Sequence, residues 1–190
     1  MFDKITDYIL VQNIVPANVC DKLIADTSEV CIWTKHQWQK YGLLEKPERI
    51  PETELDNATS TPEQNEILHD FISQAIQNYQ EMICSRNALG TGVSYLRSVS
   101  FNRYAVGTLM KEHYDHIHSI FDGDRRGIPI LSIVGNLNDD YRGGEFVFFN
   151  KLEVELKKGD ILIFPSSFMY PHKVNKITEG TRYSFVTWAF

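Results

Sequence analysis

Histidines occur at positions 36, 69, 113, 116, 118 and 172, and three of the six fall in the run His113-Tyr114-Asp115-His116-Ile117-His118. In an extended chain, side chains two residues apart point to the same face. His113 and Asp115 therefore converge on one point, and His116 and His118 form a second pair at the same spacing. A third ligand from a distant strand would complete a face of two imidazoles and one carboxylate, holding a metal and leaving three positions of an octahedron open. The distant candidate is His172, in Met169-Tyr170-Pro171-His172-Lys173-Val174. Ten residues further on, Arg182 opens Arg182-Tyr183-Ser184-Phe185-Val186-Thr187-Trp188. Alternation puts Arg182, Ser184 and Trp188 on one face and Tyr183, Phe185, Thr187 and Ala189 on the other. An arginine among apolar neighbours in a core strand needs a partner. Its planar fork suits a carboxylate held by two parallel hydrogen bonds, with the Ser184 hydroxyl adding a third.

These residues have to be held by strands. The second half of the chain predicts them over 95–104, 130–136, 145–149, 152–156, 161–164, 172–174 and 181–190, linked by turn residues such as Asn138-Asp139-Asp140 and Lys157-Lys158-Gly159-Asp160. Short strands with turns of this kind predict a sandwich or jelly roll. No helix-length segments separate them, so βαβ units are excluded. The first half predicts a strand over 9–15, and then a short helix capped by Asn18 and carrying Val19, Leu23 and Ile24. Thr61-Pro62-Glu63-Gln64 is a capping box with proline in the first turn. Behind it Ile67, Leu68, Phe71, Ile72, Ala75, Ile76, Tyr79, Met82 and Ile83 recur at helical spacing as one broad apolar face, which needs a sheet to lie on. Residues 31–60, with Trp33, Trp38, Tyr41, Gly42, Pro47 and Pro51, read as an irregular stretch long enough to be either a surface excursion or a lid over a binding site.

The chain has 190 residues, 43% of them hydrophobic, which is enough for one well-packed domain. Its net charge is −6, from 19 basic and 25 acidic residues, which gives no support to a nucleic-acid partner. No apolar run is long enough to span a membrane and the first residues do not resemble a secretory leader, so a soluble, cytoplasmic protein is expected. Cys20, Cys31 and Cys84 are odd in number and contain no CxxC, as expected of ordinary thiols in a reducing compartment.

The ordered set His113-x-Asp115, His172 and Arg182 resembles the iron(II)/2-oxoglutarate-dependent dioxygenase superfamily. Its surroundings are similar to the prolyl 4-hydroxylase-like branch. The matching stretches are Asn102-Arg103-Tyr104 through Gly107 to His113-Tyr114-Asp115, and Leu137-Asn138-Asp139-Asp140-Tyr141-Arg142-Gly143-Gly144-Glu145-Phe146. They continue with Lys158-Gly159-Asp160-Ile161-Leu162-Ile163-Phe164-Pro165, and with His172-Lys173-Val174 and Gly180-Thr181-Arg182-Tyr183-Ser184. The likeness runs in order over 95–190 and more loosely over the N-terminal helices. It implies one domain over 1–190, mainly β with flanking helices (α+β). Residues 1–92 would supply a strand, helices and a lid-like loop, and 93–190 a double-stranded β-helix, the jelly roll of the cupin-like folds.

The resemblance also implies chemistry. Fe(II) would be bound by His113, Asp115 and His172, not by His116 and His118. 2-Oxoglutarate would chelate the metal and pair its distal carboxylate with Arg182, with Tyr104 and Ser184 adding polar contacts. O2 would be the second co-substrate. No catalytic residue beyond the metal ligands is implied. The implied reaction is hydroxylation of a prolyl residue in a proline-containing peptide or protein, with release of succinate and CO2. The alternatives are a hydroxylase of a free amino acid or other small metabolite, and a catalytically silent metal-binding module. The intact ligand set argues against the silent module, and the presence of Asp115 argues against halogenation. One departure stands out: relatives often carry an aromatic residue just before the Leu-Asn pair, and here the place holds Gly135-Asn136. A wider pocket floor follows, or a larger share of the polar contact for Tyr104 and Ser184.

The remaining candidates each have two readings. Tyr104 shares a strand face with Ser98, Ser100 and Asn102, which would line the lumen while Val99 and Phe101 pack outward. Glu145 reads as a substrate contact or a strand-edge charge, and Trp188 as core or as a wall of the substrate site. Arg126, beside Arg125, reads as part of a solvated turn or as a contact to peptide backbone or an acidic substrate. His36 and His69 are expected to be solvated.

Overall fold

Alternating strands in the second half and one long amphipathic helix in the first set the architecture. A computed structural model describes residues 4–36, 54–83, 93, 95–115 and 128–190. A 3-10 turn over Ile5–Tyr8 leads into β1 (Leu10–Asn13), α1 (Ala17–Val30), β2 (Thr34–Lys35), β3 (Asp56–Thr59) and α2 (Pro62–Ile83). There follow β4 (Ser100–Tyr104), β5 (Met110–His113), β6 (Leu131–Asn136), β7 (Arg142–Gly143), β8 (Phe146–Phe148) and β9 (Leu152–Val154). The chain closes with β10 (Asp160–Pro165), β11 (His172–Val174), β12 (Ile177–Glu179) and β13 (Arg182–Ala189). One sheet runs in the order β1-β10-β6-β13-β4-β3-β2, a second in the order β5-β11-β8-β9, and β12 pairs with β7. All of these pairings are antiparallel. The two larger sheets face each other across a lumen and form a double-stranded β-helix.

The strand alternation divides the apolar residues into two cores. Phe101, Ile133, Ile161, Ile163 and Phe185 turn toward the helices. Tyr104, Val134, Leu162 and Phe164 turn inward and meet Phe146, Phe148 and Val174 from the second sheet. Val99 and Phe101 therefore pack outward, as the alternation predicts, and Tyr104 faces the lumen.

Helix α2 starts as its capping box predicts. The Gln64 N–H donates to Thr61 Oγ1 at 3.2 Å, and the Thr61 N–H donates to Gln64 Oε1 at 2.9 Å. Its buried stripe of Leu68, Ile72, Ala75, Ile76 and Tyr79 lies on the large sheet. Each large apolar side chain buried there contributes about 1.5–3 kcal/mol. No helix of the described residues is long and apolar enough to cross a membrane.

Three expectations need correction. Asn18 does not cap α1: the helix begins at Ala17, after Pro16, whose carbonyl accepts the Val19 and Cys20 N–H groups. The helix is also longer than expected, because Cys20, Leu23 and Thr27 continue the buried stripe to its end. The described ends of the 31–60 stretch are not irregular, since β2 and β3 extend the large sheet beyond β4. Asp56 secures that extension, accepting from Arg103 Nε and Nη2 at 3.0 and 2.8 Å and from Lys35 Nζ at 2.7 Å. The Arg103 guanidinium stacks 4.5 Å above the Trp33 ring. The proposed lid itself, with Trp38, Tyr41, Pro47 and Pro51, lies outside the described residues, as does Cys84. Burial raises the Cys20 thiol to a pKa of about 11, fitting the inert thiol expected there.

A candidate metal centre in the lumen

Strand register brings the two histidines together. His172 on β11 lies opposite His113 on β5, with ring centroids 4.3 Å apart. Asp115 follows β5 by two residues. Its Oδ1 is 3.6 Å from His113 Nε2 and its Oδ2 is 3.9 Å from His172 Nε2. One donor atom from each of the three lies within 4.8 Å of the others. Donors bound at about 2.1 Å to a single ion sit about 3–3.5 Å apart, so a small contraction would close the cluster on a metal.

The tautomers are set for ligation. His113 Nδ1 lies 2.8 Å from the Lys111 carbonyl and His172 Nδ1 lies 3.0 Å from the Tyr170 carbonyl. A carbonyl only accepts, so each Nδ1 carries a proton and each Nε2 is turned toward the cluster. His172 is enclosed by aromatic rings: Phe146 is stacked at 5.0 Å, and Phe164 stands edge-on at 4.9 Å. That burial lowers its pKa to about 4 against the opposing pull of Asp115, so the ring is neutral near pH 7.

Burial works to raise the Asp115 carboxyl, but His172, His113 and hydrogen bonds from Ser132 and Trp188 outweigh it and hold the group below the usual carboxylate range. The Ser132 hydroxyl donates to Asp115 Oδ2 at 2.7 Å, and the Ser166 hydroxyl donates to the Asp115 carbonyl at 3.0 Å. Neither serine was singled out in the sequence. Alternation along β6, which turns Ser132, Val134 and Asn136 inward, is the signal that could have found the first.

Arg182 stands on the same lumen wall. It is 1% exposed and lies opposite Tyr104 in the ladder, its Cζ 5.2 Å above the Tyr104 ring centre. Its Nε donates to Asn136 Oδ1 at 3.0 Å, while the buried Nη2 has no hydrogen-bond partner among the described residues. Burial raises the Tyr104 hydroxyl above its ordinary pKa, partly offset by the Arg182 charge. Ser184 is buried in register between Asn102 and Asn136. Gly144 has φ +72, a backbone conformation that favours glycine, and a Cβ there would also meet the end of the Ile177 side chain.

The other candidates are placed differently. Trp188 is half-buried, with its indole donating to Asp115 and the Arg97 guanidinium 5.3 Å from its ring centre. Glu145 is exposed and accepts a bond from Asn175 Nδ2 at 3.1 Å. Arg126, His116 and His118 lie outside the described residues. His69 is exposed, as expected. His36 corrects its expectation: it is half-buried, and its pKa is lowered by that burial and by His113. The Gly135-Asn136 departure does not leave the floor empty, because the Asn136 amide turns inward onto Arg182.

Residues 99–190 match the model of the 2OG-Fe(II) oxygenase superfamily. A PKHD-type hydroxylase of Delftia acidovorans is 33% identical over 96 residues, covering 46% of this chain and 41% of that protein. Another from Janthinobacterium is 37% identical over 102 residues, again covering 46% of this chain and 41% of that protein. The chain thus spans well under half the length of the curated relatives it matches. Among solved structures, a viral collagen prolyl hydroxylase from Paramecium Bursaria Chlorella virus-1 superposes with a TM-score of 0.66 at 16% identity, covering 96% of this chain and 95% of that one. A prolyl hydroxylase of Trichoplax adhaerens, in complex with a hypoxia inducible factor peptide fragment, gives 0.68 at 15% identity, covering 97% and 84%. A Pseudomonas putida prolyl-4-hydroxylase gives 0.64 at 20% identity, covering 96% and 92%. At these identities the likeness is one of fold.

Proposed function

We propose, from the premise that this chain belongs to the 2OG-Fe(II) oxygenase superfamily through residues 99–190, that it is an Fe(II)- and 2-oxoglutarate-dependent dioxygenase hydroxylating a prolyl residue of a peptide or protein. The observation that carries the reading is a buried arginine nitrogen, Arg182 Nη2, without a hydrogen-bond partner among the described residues, on the lumen wall beside a His-Asp-His cluster. Two imidazoles and one ionised carboxylate suit a divalent first-row metal. The bare Nη2 suits the distal carboxylate of a dicarboxylic acid.

In this reading His113, Asp115 and His172 would hold the metal, each through one donor atom. When bound, iron with its co-substrates supplies the oxidising step, in which 2-oxoglutarate is converted to succinate and CO2 while oxygen enters a C–H bond of the substrate. Arg182 anchors the far end of the co-substrate, and Tyr104 and Ser184 line the wall beside it. Ser132 and Trp188 hold the Asp115 carboxylate in orientation. The phenylalanines around His172 exclude water and keep its Nε2 free of a proton.

The prolyl assignment is supported by the prolyl hydroxylases that share the fold and by the hydroxylase names of the sequence relatives. The test is incubation of the Fe(II)-loaded protein with 2-oxoglutarate and a panel of proline-containing peptides, free proline and other amino acids. Succinate and products heavier by one oxygen atom are read by mass spectrometry. Succinate coupled to an oxidised peptide is expected, and Asp115→Ala should abolish it while far-UV circular dichroism is retained. Oxidation of free amino acids alone would move the assignment to a small-molecule hydroxylase. Undiminished turnover in Asp115→Ala would remove the metal assignment.

A further inference from the structure

We propose that Asn136 is the positioning residue that aims Arg182 at the distal carboxylate of 2-oxoglutarate, an inference that rests on the co-substrate reading above. Asn136 is 1% exposed, and its hydrogen bonds determine which way its amide points. Nδ2 donates to the carbonyls of Asn138 and Leu156, at 2.6 and 3.1 Å. Those oxygens only accept, so the amide nitrogen must face them and Oδ1 must face the other way. There Oδ1 accepts from Arg182 Nε at 3.0 Å and from the Tyr141 hydroxyl at 3.3 Å. Both donors and both acceptor sites of the side chain are thus used.

The consequence lies in the guanidinium. With Nε tied to a fixed acceptor, rotation about the end of the side chain is blocked. Tyr104 also hydrogen-bonds the guanidinium, and Nη2 is the nitrogen that is buried without a hydrogen-bond partner among the described residues. The acceptor is also neutral. A carboxylate in its place would pair with the guanidinium and cancel its charge, whereas an amide oxygen fixes the orientation and leaves that charge for an anionic ligand. Asn138 steadies the same strand, accepting from the Tyr183 N–H at 2.7 Å and donating to the Thr181 carbonyl at 2.7 Å, one residue to either side of Arg182. No aromatic side chain at 136 could supply the two donors and the acceptor together, so the departure from the usual pattern is where the device resides.

The test compares wild type, Asn136→Asp, Asn136→Ala and Arg182→Ala as Mn(II)-loaded full chains. Each is titrated calorimetrically with 2-oxoglutarate and with pyruvate, a 2-oxo acid that lacks the distal carboxylate. Wild type is expected to prefer 2-oxoglutarate strongly. Asn136→Asp should weaken 2-oxoglutarate about tenfold, the worth of one charged hydrogen bond. Asn136→Ala should weaken it less, and pyruvate binding should be unchanged in both. A general loss of structure would move both ligands together. A second measurement needs no Asn136 variant: the Arg182 Nε–H of the ligand-free Zn(II) protein should give a slowly exchanging NMR resonance, identified by its loss in Arg182→Ala. Wild-type ligand preference in both Asn136 variants, or a rapidly exchanging Arg182 Nε–H, overturns the proposal. Absence of any preference in wild type overturns the co-substrate reading instead, and the proposal falls with it.

Discussion

At Asp115 burial and charge pull in opposite directions, and the residues around it decide the outcome. The Ser132 hydroxyl is one of the groups that keep the carboxylate ionised and oriented. Ser132→Ala should therefore lower metal affinity about 10–100-fold, as loss of a group supporting a ligand generally does. Mn(II) titration with far-UV circular dichroism as a control checks this, and unchanged affinity would show that Trp188 suffices alone. The cluster was legible in the sequence because few residue types bind metals and His113, Asp115 and His172 stand at telling positions. Ser132 and Asn136 were not. A polar residue inside an apolar strand such as Leu131–Asn136 gives no sign of its partner, and the partners here are 17 residues before Ser132 and 46 residues after Asn136.

Among the elements, α2 and β13 were readable for the same reason: each has a long, regular apolar period. The capping box of α2 forms, and the middle of its apolar face (Leu68, Ile72, Ala75, Ile76 and Tyr79) is buried, while Ile67, Phe71, Met82 and Ile83 flank it half-buried. Ile72→Ala should cost about 2–5 kcal/mol by opening a cavity between helix and sheet. Urea denaturation should show the loss, with 2-oxoglutarate affinity unchanged, since Ile72 faces the core that does not line the lumen. A parallel fall in affinity would mean the two layers are coupled. Strand β5 escaped notice because Met-Lys-Glu-His has no apolar alternation; its pairing with β11 holds it. Strands β2 and β3 are short and polar, and a ladder with β4 and the ions around Asp56 define them instead of any local preference.

The whole molecule inherits an acid sensitivity from its centre. The folded chain keeps His172 unprotonated down to about pH 4, while an unfolded chain takes up that proton near the ordinary value of 6.5. Between those values the unfolded state binds more protons, so stability falls as pH falls. Asp115, held below the usual carboxylate range, acts with the same sign: its contribution is present at neutral pH and lost as pH drops through its folded value. The metal-free protein should therefore show a lower urea midpoint at about pH 5 than at about pH 7. His172→Leu should flatten that dependence. An equally steep profile in the variant would assign the sensitivity to other groups.

Gly135 and Asn136 are neighbours in the chain but belong to opposite faces of β6. A Cβ on Gly135 would fall inside the Phe185 ring, which lies across from it on β13. Phe185 is wholly buried and shares its strand with Arg182. Any larger residue at 135 must displace that ring. For an evolving lineage, position 135 is thus a set-screw: the packing behind the strand that carries Arg182 can be altered from the far side of the sheet while every residue facing the lumen stays the same.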